Sequence, residues 1–232
     1  MRDYNNRRCA TITSLGKEPI AMIHELRTYT FHVGKLPQYL KLAEEVGRPV
    51  RGDDYGVNLG YWTTEFGTLN QIWHLWRYED LAERTALRAK LAQNQAWKND
   101  YVANIVGLIK KQEIRFLNPV VEFKPPEGSG NIYELRHYQV QTGRAAAWLD
   151  NFKAVMPVRE KYSKNVCIWG GEAPFPNNVM HMWAYSDLAQ RASIRAELAK
   201  DPDWRAFLAK AGGDLVEMTS IVLTPTNYSP LQ

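Results

Sequence analysis

The chain carries one pattern twice, and any fold it adopts has to accommodate both copies. Residues 22–29 read MIHELRTY and residues 131–138 read NIYELRHY, so Glu-Leu-Arg-x-Tyr recurs 109 residues later, and Gly34 finds Gly143 at the same displacement. Further along the displacement is 107. There residues 74–97 match residues 181–204 at 12 of 24 positions, against about one or two expected by chance in a non-repeating chain. Trp62-x-x-Glu65 and Trp169-x-x-Glu172 share this second displacement, so the second copy lacks two residues between Gly143 and Trp169, at a loop or helix end.

Each copy reads as β-α-β-β-α-β. Residues 23–31 alternate and are rich in Thr, Tyr and Phe, which favours a strand ended by Gly34. Apolar residues at Leu36, Tyr39, Leu40, Ala43 and Val46 have the spacing of an amphipathic helix, with Gly47 and Pro49 as its stop. Residues 57–64 and 70–78 form a hairpin around Gly67. Asp80 with Glu83, and Asp187 with Gln190, place a carboxylate cap and a reciprocal side chain three residues on, which starts a helix in each copy. Residues 112–117 and 219–224 supply the closing strands.

That order is the ferredoxin-like unit. The expected fold is α+β, with two tandem ferredoxin-like βαββαβ units forming a pseudo-twofold α/β barrel whose antiparallel sheets pack face to face, within one chain or between two. The expected boundaries are an unstructured extension over 1–21, a first repeat over 22–118, a linker over 119–130 containing Pro-Pro-Glu-Gly-Ser-Gly, a second repeat over 131–226, and a tail over 227–232.

Strand alternation sorts side chains into two faces. One face of the third strand carries His74, Trp76 and Tyr78, repeated as His181, Trp183 and Tyr185; the other carries Trp73 and Leu75, or Met180, Met182 and Ala184. The second set is greasy and variable, as a helix-packing face can be, so the His-x-Trp-x-Tyr face is expected to point at the opposing sheet. Glu25, Arg27 and Tyr29, repeated as Glu134, Arg136 and Tyr138, share one face of the first strand. Together with Trp62 these residues form a candidate pocket inside the barrel. In a functional reading His74 or His181 accepts a proton or binds a ligand, the glutamates tune it, and the arginines hold an anionic or carbonyl group. A purely structural ion network accounts for the same residues. The pairs Arg84 with Arg88 and Arg191 with Arg195 stand four apart on one side of a helix; they could bind an anion, but the commoner arrangement, a solvated helix face paired with nearby acids, is the expectation.

Composition excludes several classes. A 45% hydrophobic fraction with 8 Trp and 12 Tyr rules out a disordered chain. The interleaved net charge of +4 gives no basis for nucleic-acid binding. No apolar run approaches the roughly 20 residues of a membrane span, and residues 1–21 lack the core of a secretory signal, so a cytoplasmic location is expected. Cys9 and Cys167 have no disulfide or metal spacing, and Cys167 sits among apolar neighbours as an inert thiol. No HxxxH, HExxH, Walker or GxSxG motif occurs, so neither a metal nor a cofactor is expected.

Glu-Leu-Arg-x-Tyr over residues 25–29, Trp-x-x-Glu-x-Gly-x-x-Asn over 62–70 and His-x-Trp-x-Tyr-x-Asp-x-x-x-Arg over 74–84 together resemble the NIPSNAP family across residues 22–226. The second copy departs at Pro174 in place of Gly67 and at Ala184 in place of Arg77. The resemblance implies a dimeric α/β-barrel fold, hence a homo-oligomer, and a family of unsettled molecular function. Its leading functional expectation is a small apolar or aromatic ligand, or a protein partner, bound without catalysis. A cofactor-independent monooxygenase or isomerase using His74 with Glu25 or Arg27, and a purely structural homo-oligomer, are the alternatives.

Overall fold

A computed structural model describes residues 22–232. The expectations for residues 1–21, and for Cys9 among them, lie outside the described residues. In the first repeat β1 (Ile23–Phe31) is followed by α1 (Leu36–Leu42), a π turn (Ala43–Gly47) and α2 (Arg48–Arg51). The hairpin β2 (Val57–Phe66) and β3 (Gln71–Tyr78) leads to α3 (Leu81–Gln93), a second π turn (Trp97–Val102), α4 (Ala103–Ile105) and β4 (Ile109–Pro119). The second repeat runs β5 (Ile132–Val140), α5 (Ala145–Arg159), β6 (Asn165–Ala173), β7 (Asn178–Tyr185), α6 (Leu188–Leu198), α7 (Pro202–Ala211) and β8 (Leu215–Pro225). Both capping pairs form: Asp80 accepts from the Glu83 amide and Asp187 from the Gln190 amide, each at 2.7 Å.

The eight strands close one antiparallel barrel in the order β1-β3-β2-β8-β5-β7-β6-β4. Each repeat contributes the ferredoxin-like order β4-β1-β3-β2 or β8-β5-β7-β6, and the junctions β2–β8 and β4–β6 lie within the single chain. The inner faces of both sheets are therefore covered within the chain. Small barrels of eight strands have interiors that side chains fill, and this one is packed by Leu26, Trp62, Trp73, Leu75, Tyr133, Trp169 and Met182 drawn from both repeats. Gly60 is required there, because a Cβ on it would stand 2.0 Å from the Trp62 ring.

The length differences between the copies are absorbed in identifiable turns. Arg51 and Arg159, 108 residues apart, occupy matching places: each donates to a tyrosine hydroxyl (Tyr78 or Tyr185) and lies over a tryptophan (Trp76 or Trp183). One extra residue of the first copy thus sits in the π turn Ala43–Gly47, where α5 is a regular α-helix, and the other lies between Arg51 and Asn58. A third follows from strand register: Tyr29 opposes Gln112 while Tyr138 opposes Met218, a displacement of 106. The π turn Trp97–Val102 holds it. A π turn is the usual way for a helix to take in one extra residue, and such turns gather at functional sites. Gly47 and Pro49 do not stop the first helix as expected; it runs on to Arg51. Gly47 is instead a contact residue, since a Cβ there would meet the Tyr101 ring at 2.6 Å.

Candidate functional site

The structure reverses the expected orientation of the strands. Glu25, Arg27, Tyr29, His74, Trp76 and Tyr78 point outward to the helices of the first repeat, and Glu134, Arg136, Tyr138, His181, Trp183 and Tyr185 do the same in the second. Trp73, Leu75, Met180 and Met182 point inward and, with Trp62, fill the barrel. Trp62 is thus separated from the other candidates. The physical reason is the narrow, closed interior: carboxylates and guanidiniums placed there would be desolvated with no helix side chain to pair with. Beneath the helices they find partners.

Glu25, fully buried, is held by Arg27 at 2.9 Å and by Arg84 of α3 at 2.5 Å. Arg27 also donates to the Tyr29 hydroxyl at 2.8 Å. In the second repeat Glu134 is held by Arg136 at 2.8 Å, Arg191 of α6 at 2.6 Å and the Ser220 hydroxyl at 2.6 Å. Burial opposes the charge on Glu134, but these hydrogen bonds outweigh it and hold the carboxyl well below the usual range. Arg84 and Arg191 are therefore buried-network residues, not the solvated face expected of them.

His74 is the cross-strand neighbour of Arg27, and His181 of Arg136. The indole N–H of Trp76 donates to His74 Nδ1 at 2.6 Å, and Trp183 donates to His181 Nδ1 at the same distance. Burial first, then the charges of nearby arginines, holds both imidazoles neutral far below their ordinary value. An indole can only donate, so Nδ1 is an acceptor and the single proton resides on Nε2. Among the described residues neither Nε2 atom, both buried, has a partner. In the resting protein each histidine is a hydrogen-bond donor, and the proton-acceptor role expected from the sequence is not its ground-state chemistry.

Each network floors a cavity between sheet and helices. The first, about 440 Å³, is walled by Tyr29, Tyr39, Tyr61, Trp97 and Tyr101, with Arg27, Arg51, His74 and Arg88 among its polar groups. Tyr61 stacks on His74 with ring centroids 4.9 Å apart and planes 10° from parallel. The second, about 270 Å³, has Trp148, Phe152 and Phe207 where the first has Tyr39, Ala43 and Tyr101, and Phe152 approaches His181 to 4.9 Å. The first copy is thus roomier and richer in hydroxyls. A larger groove of about 690 Å³ beside Pro125, Tyr162 and Gln190 touches the second network only through Tyr185 and Ser163 and holds neither histidine nor any of the network arginines and glutamates.

Sequence reasoning missed Arg51 and its counterpart Arg159, and it placed Arg88 and Arg195 on a helix face that could hold an anion but expected that face to be solvated; all four line the cavities. Arg51 and Arg159 carried a signal: they match at the intermediate displacement of 108, which shows only when the two-residue gap is split. Among the described residues no cluster of His, Cys, Asp and Glu could hold a metal ion, and no helix is long and apolar enough to cross a membrane.

The NIPSNAP family profile matches residues 24–123 and again 133–230, one match for each repeat. The chain belongs to the NIPSNAP family. It is 29% identical to protein NipSnap homolog 3A of Homo sapiens, with 97% of this chain and 92% of that protein aligned. NipSnap homolog 2 of Mus musculus is 30% identical over the whole of this chain and 84% of its own length. Among solved structures, a protein of Fusobacterium nucleatum provisionally named a monooxygenase superposes with a TM-score of 0.68 over 89% of this chain and 93% of its own; at 12% identity the likeness is one of fold.

Proposed function

We propose that this NIPSNAP protein binds a small aromatic or apolar molecule in the cavity of its first repeat. The observation that carries the reading is a 440 Å³ space walled by aromatic rings, with the unpartnered Nε2–H of His74 on its lining residue. A volume of a few hundred Å³, apolar walls and a few fixed polar groups are the ordinary attributes of a small-molecule site. Aromatic walls supply contact area at low entropic cost, and an unpartnered buried donor gains a hydrogen bond when an acceptor arrives. Val106 lines the same cavity yet is 65% exposed, so Val106→Trp should obstruct the space without disturbing the core. A thermal-shift screen of aromatic compounds should yield hits for the native chain that Val106→Trp loses; a ligand present at about 100 times its Kd adds about 2.7 kcal/mol to stability. No hit across a broad panel would defeat the reading.

A catalytic reading rests on a different detail, the pairing of Arg27 with a neutral, Nε2-protonated His74. That pair suits stabilisation of a developing enolate or alkoxide in a cofactor-independent isomerisation or oxygenation, where the histidine acts as electrophile and not as base. Turnover that survives His74→Ala would exclude it.

A further inference from the structure

The polar groups of the first cavity are lopsided. Three arginines and two lysines line it, Arg27, Arg51, Arg88, Lys110 and Lys111, and among the described residues no Asp or Glu does. The nearest network carboxylate, Glu25, lies behind Arg27 and is already shared with Arg84. Arg51 spends its contacts on the Tyr78 hydroxyl, the Tyr55 carbonyl and the face of Trp76. Among the described residues neither Arg51 nor Arg88 has an ion-pair partner, and the remaining capacity is all of one kind: Arg51 Nε, Arg88 Nη1 and His74 Nε2 are buried donors without acceptors there.

Resting on the binding reading above, we infer that the occupant carries a carboxylate on its aromatic or alicyclic frame, with Arg88 as the principal charge partner and His74 Nε2–H as a directed donor. A carboxylate is acceptor-only, which complements a set of donors, and its planar oxygens match a guanidinium fork. The aromatic walls take the frame. Burial, then repulsion from Arg27 and Arg51, lowers the Arg88 guanidinium to about 10, so the fold holds this cation at a cost that a neighbouring anion would relieve. The second repeat keeps the same set as Arg136, Arg159, Arg195 and His181, but there Phe152 takes up space and Arg195 is exposed. The first cavity is therefore the site.

The test is calorimetric titration of the full chain with matched pairs of aromatic and alicyclic carboxylates and their primary amides, from benzoate and benzamide to 2-naphthoate and 2-naphthamide. At least one carboxylate is expected to bind tenfold or more tighter than its amide, and Arg88→Gln to bring the two affinities of the pair to within about twofold of each other. Arg195→Gln should leave it intact, and Val106→Trp should abolish both members of the pair. Equal binding of acid and amide would overturn the carboxylate assignment and leave the aromatic site standing. A preference that survives Arg88→Gln would overturn the role given to Arg88. Failure of every compound, charged or neutral, would overturn the site itself.

Discussion

The Trp76 indole donates to His74 Nδ1 across 2.6 Å, and that one bond decides which nitrogen of the histidine carries its proton. The same relationship joins Trp183 to His181, so the device is built into both copies. Imidazole-edited nitrogen spectra should show both histidines as pure Nε2–H tautomers, unchanged between pH 8 and pH 5. Trp76→Phe should release the His74 tautomer and, by leaving a buried acceptor unpaired, cost about 1–3 kcal/mol. A mixed tautomer in the native chain would refute the assignment.

Stability should fall on mild acidification. His24, inside the barrel against Trp169, is lowered to about 4 by burial and then by Arg77, and His74 and His181 lie well below their ordinary value for the reasons given above. As pH falls through about 6.5 the unfolded chain takes up protons that the folded chain refuses, so stability present at pH 7 is lost progressively towards pH 4. Each such histidine contributes a slope of up to about 1.4 kcal/mol per pH unit. Glu134, whose carboxyl is held low, adds a loss of the same sign only below the ordinary carboxylate range. Denaturant midpoints that stay level from pH 7.5 to pH 5 would contradict this account.

Glu25 and Arg88 should respond in opposite ways to removal. Glu25→Ala strands Arg27 and Arg84 beside an empty buried position, with an expected loss of about 3–5 kcal/mol in urea unfolding. Arg88→Met removes a cation that repels Arg27 and Arg51 and satisfies no carboxylate, so it should be neutral or stabilising by about 0.5–1 kcal/mol. A loss comparable to that of Glu25→Ala would make Arg88 structural.

The π turn Ala43–Gly47 invites a deletion. Glu45 is exposed within it, and the matching helix of the second repeat does without the extra residue while still placing Arg159 as Arg51 is placed. Deleting Glu45 should convert the turn to regular α-helix, with a folded product and a stability change below about 2 kcal/mol. Hydrogen exchange would locate any wider disruption, and unfolding of the whole first repeat would show that the turn is not a simple insertion.

The duplicated βαββαβ order, the capped helices at Asp80 and Asp187 and the pairing of equivalent positions were all legible in the sequence, because periodicity, caps and repetition are local signals that each copy states independently. Even the missing residues announced themselves, although only the strand registers placed the third one. What the sequence could not decide was direction. Strand alternation names two faces but not which is inside, and in β1 and β3 both faces are buried, so hydrophobicity does not distinguish them. Closure of the barrel settled that question: its narrow core accepts Trp62, Trp73 and Leu75 and leaves Glu25, Arg27 and His74 to the helices. The cavity partners Arg51 and Arg88 come from separate helices and meet His74 only because those helices cross the same sheet, a juxtaposition that tertiary packing alone creates.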